Sequence, residues 1–178
     1  RDFCLSRGLG DVYKRQVSIG LQCKGETVLG VVYAPYLNEL YEACKGKGAM
    51  LNGRSIHVSG KNDTQESVVS TGFPIDKDRN PDNNLDNLAR ILPMVRGVRR
   101  QGSAAFDLCC VAAGILDGYW EFNLHLWDVC AGILIVTEAG GTVRSFREDR
   151  NVSIVAGTPA IVEQLYPRLS DKPGKICL

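Results

Sequence analysis

The chain has little of what several function classes require. It has 178 residues, with two histidines, His57 and His125, and seven cysteines in no Cys-x-x-Cys spacing. An odd cysteine count without paired spacing argues against both a disulfide framework and a zinc site. Charge of one sign is missing too: 21 basic residues stand against 20 acidic ones, a net of +1. That balance gives no reason to expect nucleic acid or an anionic membrane surface as a partner. No apolar run approaches the roughly 20 residues needed to span a bilayer, and the first residues lack the basic-then-apolar layout of a secretory signal. The cytoplasm is the expected compartment. No internal repeat or low-complexity tract appears, and 44% hydrophobic with 23% charged residues is a globular composition.

What is present is concentrated in the second half. Trp127-Asp128-Val129-Cys130-Ala131-Gly132 runs through an apolar stretch to Glu138-Ala139-Gly140-Gly141, one acid at the head of a helix that closes on two glycines. A carboxylate in the first turn sits at the positive end of the helix dipole, where it faces whatever else that end attracts. The local pattern alone leaves two readings open, a cap for a buried helix or the frame of a metal or phosphate site. Ser103 is a good cap ahead of a helix over 104–113, with Gly114 as its stop. Cys109, Cys110 and Cys130 lie in apolar helical runs, where a reduced cysteine behaves as a small hydrophobe. None has the nearby arginine that a cysteine-nucleophile phosphatase needs.

The remaining elements read as alternating strands and helices. Residues 17–25, 27–34 and 40–43 form a hairpin or meander, and Asn52-Gly53 is a two-residue hairpin turn. Strands are expected at 67–71, 116–122, 142–146 and 153–156, and helices at 85–92, from Asp128 onward, and at 159–169 with Pro159 in its first turn. Asp76 to Asn84 is a polar loop. Read as a calcium loop it offers Asp76, Asp78, Asn80 and Asp82, but it has Pro81 where glycine is needed and Asn87 where a bidentate Glu should stand. Gly46-Lys47-Gly48 lacks the layout of a phosphate loop.

The stretch WDVCAGILIVTEAGGTV resembles the C-terminal signature of the inositol monophosphatase family. Two further stretches agree with it in order and spacing: Gly102-Ser103-Ala104-Ala105, and Gly30-Val31-Val32-Tyr33-Ala34-Pro35 with Gly46-Lys47-Gly48-Ala49 and Leu51-Asn52-Gly53. The resemblance covers roughly Val17 to Leu169. It implies an α/β fold of layered sheets and helices with its N-terminal part missing, because the family's Asp-Pro-Ile/Leu-Asp-Gly-Thr loop and an earlier metal-binding Glu are not found before Val17. It implies magnesium-dependent hydrolysis of a small phosphate monoester, with inositol 1-phosphate as the expected substrate. By the same match Asp128 is a metal ligand, Gly102, Ser103 and Ala104 form a substrate-contacting loop, and Glu121 accepts hydrogen bonds from substrate hydroxyls. His125 is expected at the pocket edge. The cofactor implied is Mg2+, the partner a small phosphorylated polyol, and the assembly a homodimer. Related readings are a bisphosphate nucleotidase, a fructose-bisphosphatase, a histidinol-phosphatase or a non-catalytic truncated homologue.

Residues 1–16 fall outside this pattern. Asp11-Val12-Tyr13-Lys14-Arg15-Gln16 resembles translated adapter read-through, so 1–16 is expected to be a non-native leader and 17–178 the domain. Without further neighbours, the strands over 17–34 are expected to leave an apolar edge prone to association.

Overall fold

The computed structural model describes residues 16–169 in full and the backbone of 2–7. Six strands, β1 (Asp2–Arg7), β2 (Val17–Cys23), β3 (Glu26–Ala34), β4 (Glu39–Cys44), β5 (Ala49–Leu51) and β6 (Arg54–Ile56), form an antiparallel meander in chain order. Asn52 and Gly53 take the positive φ values, 49° and 74°, that the β5–β6 turn requires. The presence of β1 differs from the sequence reading, which placed no element before Val17. It pairs antiparallel with β2, Asp2 opposite Gln22 through Arg7 opposite Val17, so the edge of β2 is covered. Backbone pairing needs no hydrophobic period, which is why the pattern did not signal it. Residues 1 and 8–15 of the expected leader, and the end of the domain after 169, lie outside the described residues.

The second sheet is mixed. Strands β7 (Val68–Thr71), β8 (Gly97–Arg99) and β9 (Gly118–Leu124) are parallel, and β10 (Thr142–Ser145) and β11 (Val152–Gly157) add antiparallel, in the order β10-β11-β9-β7-β8. Helices α1 (Leu85–Ile91), α2 (Ala104–Ala112), α3 (Leu126–Glu138) and α4 (Pro159–Leu165) complete the fold. Helices α2 and α3 lie between the sheets. Their Leu108, Val111, Val129 and Ile135 share one core with Val32 and Tyr41 of the first sheet and Tyr119 and Ile154 of the second. On the far face of the second sheet, Trp120, Phe122 and Val155 pack on Ile91 of α1 and Ile161, Val162 and Leu165 of α4. The result is alternating sheet and helix layers, as the resemblance implied.

Glycine sets the closest layer contact. Gly20 and Gly30 are register partners on β2 and β3, directly beneath α3. A Cβ on Gly30 would come 2.8 Å from the Ala131 carbonyl oxygen, and one on Gly20 would meet Cys130 Sγ at 2.5 Å. The apolar faces of sheet and helix therefore meet at backbone distance, and the small residues at 130–132 are needed for it. At the other end of α3, the Glu138 carboxylate accepts from the backbone N–H groups of Gly46 and Gly48, each at 2.8 Å. This interaction holds its pKa below the usual carboxylate range. The Gly46-Lys47-Gly48 turn thus binds an anion of its own chain.

Candidate functional site

Strand β9 carries two side-chain sets on opposite faces, because its residues alternate. Trp120 and Phe122 enter the outer core, whereas Tyr119 and Glu121 face the helix layer. Glu121 is half-buried, and the Tyr119 phenol donates to its Oε2 at 2.6 Å. Its pKa is raised to about 7, first by burial, against the lowering pull of the Tyr119 hydrogen bond and the Arg100 charge and with a smaller upward push from the charge of Asp128. The carboxylate of Glu121 and that of Asp128 therefore lie in one electrostatic neighbourhood. Tyr119 is itself pushed well above its ordinary value, first by burial and then by the charges of Glu121, Asp107 and Asp128.

Asp128 is the third residue of α3, whose N-cap is His125. The helix begins two residues earlier than the sequence suggested, and Asp128 is not its cap. Its Oδ2 instead accepts from the His125 backbone N–H at 3.1 Å, the return half of a capping box. The ring of His125 stacks on Trp127, with centroids 4.3 Å apart and planes 14° from parallel. Both side chains are exposed, so the first turn of α3 presents an aromatic pair beside the acid.

The expected substrate loop lies at the head of α2. Ser103 is its N-cap and accepts from the Phe106 N–H at 3.3 Å. Gly102 has φ +85°, and a Cβ there would sit 3.7 Å from a guanidinium nitrogen of Arg100. The Arg100 guanidinium therefore lies beside the Gly102-Ser103-Ala104 loop, and its charge acts on Glu121. Sequence reasoning missed Arg100, Tyr119 and Gly72. The signals for them were slight, a residue two before Glu121 on its own face, a glycine after the β7 strand, and a second arginine before Gly102.

A magnesium ion asks for several hard oxygen ligands in near-octahedral array. Asp128 offers one of that kind. Among the described residues, no group of three or more His, Cys, Asp or Glu side chains could hold a metal. The loop at 76–82 has other uses: Asp76 accepts from Asn80 at 3.0 Å, and Asp82 is ion-paired with Arg147 and Arg150 at 2.8 and 2.7 Å. Cys109, Cys110 and Cys130 are buried, as expected of small hydrophobes, and Cys23 and Cys44 are exposed. Among the described residues, no helix is long and apolar enough to cross a membrane.

Comparison with known proteins agrees with this arrangement. The model of the inositol monophosphatase family matches residues 16–172. The Nus factor SuhB of Pasteurella multocida is 41% identical over 164 residues, which span 88% of this chain and 61% of that protein. The inositol-1-monophosphatase of Mesorhizobium japonicum is 41% identical over 153 residues, 84% of this chain and 58% of that protein. The solved inositol monophosphatase of Anabaena superposes with a TM-score of 0.87 at 35% identity, covering 93% of this chain and 73% of that one. The chain thus spans about three-fifths of the length of these two curated relatives.

Proposed function

The chain belongs to the inositol monophosphatase family, and from that premise we propose that it supplies the polyol-binding side and one metal ligand of a magnesium-dependent phosphatase for a small phosphate monoester, inositol 1-phosphate. The observation that carries this reading is Glu121. A half-buried carboxylate with a pKa near 7 and one phenol donor is costly to keep, and such groups concentrate where a ligand completes the set of partners. A polyol hydroxyl donates what Glu121 lacks. The Gly102-Ser103-Ala104 loop, at the N-terminus of α2, offers the backbone N–H groups of a helix start to the same ligand.

Asp128 would hold magnesium from the first turn of α3, its Oδ2 oriented by the His125 N–H. Bound magnesium would neutralise phosphate oxygens and acidify the attacking water. The other ligands would come from outside the described residues. Asp128 then has two duties, to close the capping box and to place one charged oxygen, and they separate on substitution. Asp128→Asn keeps an oxygen acceptor for the His125 N–H but removes the charge. In this chain completed with the remainder of the M. japonicum relative, that change should lower phosphate release on the order of a hundredfold or more, the several kcal/mol that metal-borne charge supplies, with the melting temperature held. Activity retained at millimolar magnesium would refute the metal role.

A second reading, a Nus factor role, is favoured by the identity to the P. multocida relative. It does not require Asp128 to carry charge, so the same variant tests it.

A further inference from the structure

Resting on the reading of Glu121 as the polyol contact, we propose that Tyr119 and Gly72 are positioning residues that fix the Glu121 carboxylate in one pose and thereby set the preference for a polyol phosphate over an aryl phosphate. Tyr119 is fully buried in the core between the sheets, so its ring cannot swing, and its hydroxyl reaches Oε2 at 2.6 Å. A buried phenol O–H without an acceptor is costly, so the bond constrains both partners. One carboxylate oxygen is thus committed to the protein. The other, Oε1, has no hydrogen bond among the described residues and is the acceptor available to a substrate hydroxyl.

Gly72 leaves the space that the same carboxylate occupies. Strands β7 and β9 are parallel with Thr71 opposite Trp120, so the next residue, Gly72, comes level with Glu121. A Cβ on Gly72 would overlap both carboxylate oxygens and the carbon between them. Any other residue there would displace the carboxylate. The backbone of Gly72 is in turn tied to β9 by Asn84, which is fully buried. Its Nδ2 donates to the Gly72 carbonyl at 2.7 Å and to Thr71 Oγ1 at 2.9 Å, while its Oδ1 accepts from the Trp120 indole N–H at 3.1 Å. Thr71 Oγ1 donates to the Trp120 carbonyl at 2.7 Å. Floor and carboxylate are therefore held by one hydrogen-bonded unit, rigid enough for a shift of the carboxylate to be felt as lost affinity.

The test compares KM and kcat for inositol 1-phosphate and an aryl phosphate in the completed enzyme, with Glu121→Gln as reference. Tyr119→Phe keeps the ring and removes only the donor. KM for inositol 1-phosphate should rise about three- to tenfold, with kcat on the aryl phosphate unchanged. Gly72→Ala should do the same more strongly. Melting curves of the 178-residue chain check that both variants fold, and Tyr119→Phe remains the deciding variant if Gly72→Ala does not. If Glu121→Gln is selective for the polyol but Tyr119→Phe leaves KM unchanged, or weakens both substrates equally, the positioning role is overturned while the reading of Glu121 stands. If Glu121→Gln itself weakens both substrates equally, the polyol reading fails, and this inference with it.

Discussion

The start and the middle of β9 hold two acids in contrasting circumstances. Asp117, just before the strand, is buried and accepts three hydrogen bonds: from Ser59 Oγ at 2.6 Å, Lys61 Nζ at 3.0 Å and the Val68 N–H at 2.7 Å. Glu121, four residues on, has one phenol donor, the neighbouring charge of Asp128 and a pKa lifted to about 7. The first acid has three donors built in; the second has one. Burial of a carboxylate is thus no sign of function by itself. The distinguishing feature is whether the fold supplies the donors.

That contrast can be broken most visibly at Asp117. Asp117→Ala should destabilise the chain by roughly 3 kcal/mol, because it strands a lysine, a hydroxyl and a backbone N–H together. Denaturant unfolding measures it, and a loss under about 1 kcal/mol would mean that Asp117 is no more embedded than Glu121. Glu121→Gln should behave in the opposite way. The raised pKa of Glu121 means that its contribution to stability is full below the ordinary carboxylate range and is lost as pH rises through about 7. At pH 8 the Gln variant should therefore be the more stable by roughly 1–2 kcal/mol, and the gap should close towards pH 5. A Gln variant less stable at pH 8 would make Glu121 a scaffold acid like Asp117. The smallest effect is expected for Ser59→Ala, about 1 kcal/mol, since Lys61 and Val68 still serve the Asp117 carboxylate.

Much of the fold was legible in the sequence. The meander over β2–β4, the Asn52-Gly53 turn, the Ser103 cap and the Gly114 stop each rest on short-range chemistry, which the pattern displays. Gly114, at φ +70°, ends α2 as expected. Strands with weak local signals were displaced or missed. Strand β9 runs from Gly118 to Leu124 rather than over 116–122, and β8, three residues long, has no period to read. The start of α3 was misplaced because Asp is a better cap than His by propensity, and only the capping box explains why Asp128 stands at the third position.

The candidate site was legible in its acids and not in what surrounds them. Glu121 and Asp128 came from the motif. Gly72 and Asn84 act through register and long-range hydrogen bonds, Asn84 reaching Trp120 across 36 residues, and no local pattern encodes that; Arg100 acts on Glu121 through its charge. The same limit applies to the metal. Asp128 could be named from the sequence only as a candidate ligand, and the lack of a convergent ligand group among the described residues is a fact of three-dimensional arrangement.

The claim that this chain holds the polyol acid and one metal ligand, with the remaining ligands elsewhere, is tested most directly by assaying phosphate release from inositol 1-phosphate at millimolar magnesium. The 178-residue chain and the same chain completed with the remainder of its M. japonicum relative are compared side by side. The completed enzyme should turn over while the chain alone stays at background, since one carboxylate does not hold magnesium against water. Turnover by the chain alone at a rate comparable to the completed enzyme would contradict that division of the site.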